Sequence, residues 1–238
     1  MDFCSGAGGP TPAIENAVNA DLRVGVNQRN DHVTDARGVD FVMTDIFPHL
    51  EAWQAAAKRS ENLHYVSAPV DASDSPQNLL ALGNAPEQDK KKIFRLFSLA
   101  FHHFDDPLAA KILRNTLSTS SGFAILELQS RTLGSLLTVL LIGPLLWLGS
   151  WYWFWGQWSH LFFTYVIPIV PAVVVSDGIV SSLRTRTPEE VLGLLTGEEE
   201  GRARREGWGF KWGGENHTQT GGEMSWFIGV KGDDMRGR

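Results

Sequence analysis

The sequence predicts an α/β fold: a Rossmann-like, doubly wound, mostly parallel sheet with a C-terminal antiparallel hairpin and an apolar helical insertion after the fifth strand. Three observations carry that expectation. Short apolar runs alternate with helix-start signals from Phe3 to Leu128, the pattern of parallel strands joined by crossover helices. The first run ends in a glycine-rich turn, Ser5-Gly6-Ala7-Gly8-Gly9-Pro10, where a backbone can bend sharply and approach a ligand closely. The 45 residues from Thr132 to Ser176 contain no Asp, Glu, Lys or Arg, so a second unit interrupts the first.

The elements follow in order. Phe3-Cys4 is the tail of a buried strand, and Thr11-Pro12 starts a helix with Thr11 as cap and Pro12 at the first helical position. Residues 23–38 are polar and read as a surface loop. Val39 to Asp45 is a second strand ending in a carboxylate, and the Ala-rich stretch 51–58 is a helix. Leu63 to Val66 with Pro69 to Ala72 forms the third strand, again closed by an acidic residue, Asp71. Ser75-Pro76 opens another helix, and Gly83 to Asp89 is a loop. Lys92 to Leu99 is the fourth strand, Asp106-Pro107 caps a helix from Leu108 to about Leu117, and Gly122 to Leu128 is the fifth strand. Thr187-Pro188-Glu189-Glu190 is a capping-box helix start. Beyond the charged stretch 198–206, Trp208–Trp212 and Met224–Ile228 alternate like two paired strands. The expected divisions are 1–131 and 183–238 for the core and 132–182 for the insertion.

Composition narrows the function. With 238 residues, 43% hydrophobic and 20% charged, the chain is long and apolar enough to fold. A net charge of −6 excludes a general nucleic-acid binder, which needs cations to neutralise phosphates. One cysteine, Cys4, allows no internal disulfide and suits a reducing compartment. Cys4 itself reads as a small residue packed in the glycine turn. The N-terminus carries no signal-peptide pattern.

In a doubly wound sheet, ligands sit beyond the carboxyl ends of the strands. The glycine turn, Asp45 and Asp71 all fall there. A carboxylate after the second strand can accept from both hydroxyls of a ribose, and one after the third can accept from the amine of adenine. NAD would need Gly-x-Gly-x-x-Gly with a helix N-terminus on a pyrophosphate, and this turn lacks the third glycine. S-adenosylmethionine carries no phosphate and tolerates a broader turn followed by proline, so it is the expected cofactor. No His, Cys or Asp cluster has metal-ligand spacing, so no metal is expected.

Taken together, Asp2-x-x-Ser5-Gly6-x-Gly8-Gly9, Asp45, Asp71-Ala72, Phe101-His102-His103-Phe104-Asp105-Asp106-Pro107 and Gly122-Phe123-x-Ile125-x-Glu127 resemble class I S-adenosylmethionine-dependent methyltransferases. More narrowly the chain resembles an uncharacterised fungal group of such proteins, in which Leu183-Arg184-Thr185-Arg186-Thr187-Pro188-Glu189-Glu190 follows an apolar insertion. The resemblance covers 2–128 and 183–230 and implies a chain truncated at its N-terminus. It implies that Asp2, Cys4, Ser5, Gly6, Gly8 and Gly9 flank the methionine part of the cofactor. Asp45 then meets the ribose, Asp71 and Ala72 the adenine side, and Phe101 the same pocket. His102 and His103 are the candidate general bases, since neutral imidazole takes a proton near pH 7. The alternative is that one packs under the turn and the other faces solvent. Asp105-Asp106 reads as an N-cap pair. The enzyme reading stands beside a catalytically inactive, membrane-associated interaction protein of the same fold.

The insertion adds a partner. Leu133 to Trp155 would span about 34 Å as a helix, against a hydrocarbon core of about 30 Å. Trp151 to Trp158 would lie at the far interface, and Leu161 to Val175, with Pro168 and Pro171, would return as a broken helix or lie in one leaflet. Arg131, Arg184 and Arg186 on the flanks match a cytosolic base. Membrane association through 133–176, a cytosolic catalytic domain and a small-molecule or lipid-like methyl acceptor are therefore expected. A soluble cytoplasmic protein, with the insertion as a hydrophobic lid or dimer interface, is the alternative.

Overall fold

A computed structural model describes residues 1–28, 38–76 and 92–232. Within them a seven-stranded sheet has the order β3-β2-β1-β4-β5-β7-β6. Its strands are β1 (Asp2–Phe3), β2 (Phe41–Thr44), β3 (Leu63–Tyr65), β4 (Phe94–Ser98), β5 (Gly122–Glu127), β6 (Trp208–Asn216) and β7 (Glu223–Lys231). The first five neighbours run in the order of a dinucleotide-type sheet, and the antiparallel C-terminal pair closes the far edge with β7 inside β6. The expected fold class is the observed one.

Register sets the geometry of the site. Asp2 stands opposite Met43 on one side and Leu96 on the other, and Phe3 opposite Thr44 and Phe97. Both pairings are parallel, so β1 is the place where strand order reverses. In sheets of this kind, ligands bind beyond the strand ends at that point. The two strands meeting there end alike: Cys4 after β1 has φ 59° and Leu99 after β4 has φ 56°. Both are non-glycine residues in left-handed backbone, a costly arrangement that tends to mark functional turns.

Two compact units can be separated. The first comprises Met1–Ile125, Leu192–Lys211 and the chain from Ile228 onward; the second comprises Leu126–Val191 and Trp212–Phe227. The first unit's helices are α1 (Thr11–Gln28), α2 (Leu50–Ala57), α3 (Asp106–Thr119) and, near the C-terminus, α8 (Gly197–Arg205). An aromatic series, Phe3, Phe97, Phe101 and Phe104, runs through its core with ring centroids 5.7–5.8 Å apart. Met43, Trp53 and Leu63 form a second cluster under α2. In β4 the buried Arg95 guanidinium donates to Thr116 of α3 and lies 4.6 Å over the Phe3 ring. Burial pulls its pKa down to about 10, still charged at neutral pH.

The second unit holds α4 (Leu133–Trp153), α5 (Trp158–Tyr165), α6 (Ile169–Arg184) and the short helix α7, which starts at Pro188. The α7 start is the expected capping box. The Thr187 N–H donates to Glu190 Oε2 at 2.9 Å and the Glu190 N–H to Thr187 Oγ1 at 3.3 Å.

Several expectations are corrected. Helix α1 begins at Thr11 itself and runs through Gln28, so 23–28 of the expected loop are helix, and 29–37 lie outside the described residues. The Thr11 hydroxyl donates to the Asp2 carboxylate rather than capping, and the Pro10 carbonyl takes the first helical bonds. Within the expected Asp105-Asp106 cap pair, Asp105 is the cap: it accepts from the Leu108 N–H at 3.0 Å, and Asp106 begins the helix. Residues 69–72 are irregular, not strand. The charged stretch 198–206 is largely helix, capped by a second box between Thr196 and Glu199. The helix expected from Ser75-Pro76 and the loop 83–89 lie almost wholly outside the described residues.

Candidate functional site

The site begins at Asp2. Its side chain is buried at 1% exposure on β1, with Oδ2 accepting from Thr11 and Oδ1 buried with no hydrogen-bond partner. Burial pushes its pKa up to about 6, while the hydroxyls of Thr11 and Ser5 pull it down less strongly. Ser5 knits the turn to the sheet: its N–H donates to the Thr44 carbonyl at 3.1 Å and its hydroxyl to the Asp2 carbonyl at 2.9 Å.

Beyond Ser5 the chain folds tightly. Gly6 and Gly9 hold φ of 51° and 44°, backbone that L side chains rarely adopt, and the Gly8 N–H returns to the Ser5 carbonyl at 2.7 Å. A Cβ on Gly6 would meet nothing within 4 Å, so the surface over the turn is open. Two side chains from outside the turn hold it. Asp45 Oδ2 accepts from the Gly6 N–H at 2.9 Å, and the Trp53 indole N–H donates to the Gly6 carbonyl at 2.8 Å.

Asp45 and Asp71 are joined through backbone. The Val70 N–H donates to the Asp45 carbonyl at 2.9 Å, carrying the loop after β3 to the residue after β2. Asp45 Oδ1 accepts from Phe47 at 2.9 Å, and Asp71 Oδ1 accepts from Ser73 at 2.7 Å. The Ser73 bonds hold the Asp71 carboxyl below its ordinary pKa, so it is an acceptor at neutral pH. Ala72 beside it is buried.

The half-buried Cys4 reports how these groups converge. Its thiol is pushed up to about 12, first by burial and then by the negative charge of Asp45, Asp2 and Asp71. Three carboxylates from three strand ends therefore act on one sulfur. A thiol held protonated in this way is a poor nucleophile.

After β4, a single 3₁₀ turn carries Phe101, His102 and His103. Phe101 is 2% exposed, its ring in the core between Phe97 and Phe104. His102 is buried and His103 exposed, their rings 4.1 Å apart. The pair thus divides into one packed and one solvent-facing imidazole.

Sequence reasoning found the carboxylates and the glycine turn but missed two supports, Thr11 as donor to Asp2 and Trp53 as donor to Gly6. Trp53 had a signal: it is the only tryptophan before Trp147, and it is fully buried in a short Ala-rich helix.

No family model matches the chain, and no curated protein sequence matches it. Among solved structures it is similar to human N-acetylserotonin methyltransferase in complex with S-adenosylmethionine, with 14% identity and a TM-score of 0.41. The match covers 97% of this chain and 46% of that one, so the chain spans about half the length of that protein.

Proposed function

We propose that the α/β unit binds S-adenosylmethionine at the rim above β1, β2 and β3 and transfers its methyl group to an apolar, lipid-like acceptor. The observation that carries this is the open glycine turn after β1, held by Asp45 through the Gly6 N–H, with the Val70 N–H bringing the Asp71 loop to the Asp45 carbonyl. The residues present fit the cofactor. Each Asp45 oxygen already accepts one backbone N–H and retains a lone pair for a ribose hydroxyl. Asp71, ionised and exposed, can accept from an exocyclic amine. The orphaned Asp2 Oδ1 beneath the turn is an acceptor for a donor on the methionine part, direct or through water.

When bound, the cofactor supplies a methyl on a sulfonium, which leaves as a neutral thioether as the acceptor's lone pair forms the new bond. The chain's part is then positioning rather than activation of a leaving group. Gly6, Gly8 and Gly9 let the backbone lie against the ligand, Asp45 orients it, and a ring nitrogen of exposed His103 receives the acceptor's proton. His102 packs behind His103 and holds its ring.

The second unit supports an apolar acceptor. Its helices α4 and α5, free of Asp, Glu, Lys and Arg, expose leucine and tryptophan (Leu133 is 85% and Trp153 71% exposed), a surface suited to a membrane with the catalytic unit on the cytosolic side.

Isothermal titration of the folded full-length protein with S-adenosylmethionine tests the reading. Saturable heat, lost in Asp45→Ala, is expected. Absence of heat from protein with native circular dichroism would overturn it in favour of a non-catalytic protein of this fold.

A further inference from the structure

The α4–α6 segment is packed inside out for a water-soluble protein. The buried positions of α4 are Ser135, Val139, Gly143 and Ser150. Those of α5 and α6 are Thr164, Pro171, Ser181 and Ser182. Large apolar residues point the other way: Leu145, Leu148, Trp151, Tyr152 and Trp153 are 56–71% exposed. A soluble hairpin buries leucine and shows serine to water. Helices packed in lipid do the reverse, because hydrocarbon solvates leucine and close backbone approach rewards small residues. Glycine supplies that approach here. A Cβ on Gly178 would lie 2.7 Å from Val139 Cγ1, and one on Gly143 would lie 2.9 Å from Val175 Cγ2.

Length and end chemistry fit a crossing. The 21 residues of α4 rise about 31 Å, the thickness of a hydrocarbon core of about 30 Å. The helix is apolar all round, unlike a helix that lies in an interface with one polar face. Arg131, Arg184 and Arg186 mark its near end, whereas Trp147, Trp151, Trp153, Trp155 and Trp158 gather at the far end.

Backbone satisfaction fits as well. The Tyr165 hydroxyl donates to the Trp147 carbonyl at 2.6 Å and accepts from the Trp151 N–H at 2.9 Å. Those two groups lie four residues apart within α4, and the phenol gives each a polar partner where hydrocarbon offers none. On the return, α5 and α6 bend by 68° about residues 166–168, and the Val166 and Ile167 N–H groups both reach the Phe162 carbonyl at 3.0–3.1 Å. Between Arg131 and Arg184 the only charged residue is Asp177. It lies seven residues, about 10 Å of helix, from Arg184, towards the basic end where a carboxylate is least costly.

We propose that α4 to α6 form a two-pass membrane hairpin. Helix α4 crosses the bilayer from the Arg131 side, the turn 154–157 lies at the far interface, and α5 with α6 returns as one broken span. This rests on the membrane association proposed above and adds the crossing.

The test uses the full chain with Cys4→Ser, inserted during cell-free synthesis into sealed phosphatidylcholine–phosphatidylserine vesicles. Gln157→Cys and Arg186→Cys are each probed with an impermeant maleimide, either added outside or sealed inside. The expected result is labelling of Gln157→Cys from the lumen alone and of Arg186→Cys from outside alone, with the protein resistant to carbonate. If Gln157→Cys resists the lumenal reagent in carbonate-resistant protein, the hairpin stays in one leaflet: the crossing fails and membrane association stands. If carbonate releases the protein, both fail.

Discussion

The Gly6 N–H donates to Asp45 Oδ2 at 2.9 Å across 39 residues of sequence, tying the turn after β1 to the end of β2. That one contact turns a flexible glycine loop and a distant carboxylate into a single surface. Asp45→Asn removes the charge and one acceptor oxygen. A charge-assisted hydrogen bond contributes about 1.5–3 kcal/mol, so affinity for S-adenosylmethionine should fall about tenfold to a hundredfold. Titration calorimetry on protein of unchanged circular dichroism reads this out. Unaltered affinity would remove Asp45 from the site.

Asp2 makes stability depend on pH. Its folded pKa of about 6 lies above the ordinary 3.8, so the native state keeps a proton that the unfolded chain has released. Its contribution is therefore greatest below pH 3.8 and declines as pH rises through about 6, by roughly 3 kcal/mol in all. Asp2→Asn cannot ionise. Denaturant midpoints measured from pH 4 to 7 should show the variant gaining on the parent chain as pH rises, on top of a pH-independent offset. Parallel curves for the two proteins would contradict the buried carboxyl.

Trp53 anchors the Gly6 carbonyl from beneath. Trp53→Phe keeps most of the apolar volume and loses the indole N–H, which should cost about 1–2 kcal/mol in urea unfolding and weaken cofactor binding with it. Trp53→Ala should cost about 3–5 kcal/mol, since it opens a cavity beside Met43 and Leu63. Equal losses for the two variants would mean that the hydrogen bond matters less than the volume.

Gly178 sits against Val139 with no room for a side chain. Gly178→Leu should push α6 from α4 and destabilise the hairpin by about 1–3 kcal/mol, read as a lower melting temperature in detergent micelles. Gly156, in open space, is the contrast. Its φ of 87° suits glycine, so Gly156→Asn should be milder than Gly178→Leu. The reverse order would argue against close packing of α4 on α6.

Much of the site was legible because its parts are local. A glycine turn announces itself by three glycines in four positions, and a carboxylate at a strand end follows from an apolar run stopping at Asp45. The capping box at Thr187–Glu190 was read from four letters, and Thr196-x-x-Glu199 carried the same signal within a stretch that looked merely charged. Thr11 misled because a hydroxyl before a helix has two possible partners. The backbone ahead of it is the usual one, but the buried Asp2 carboxylate took it. Phe101, which the resemblance puts beside the cofactor, is buried with its ring between those of Phe97 and Phe104.

Residue order by itself determined the alternation of strands and helices, the turn chemistry and the charge-free insertion, because each depends on neighbours within a few positions. Three-dimensional packing alone decided that Asp2, Asp45 and Asp71 act on one thiol, that His102 is buried while His103 is not, and that the insertion turns its serines inward and its leucines out. Those outcomes depend on strand register and helix facing between segments far apart in the chain. They arise from which surfaces lose water together, a quantity that no local pattern encodes.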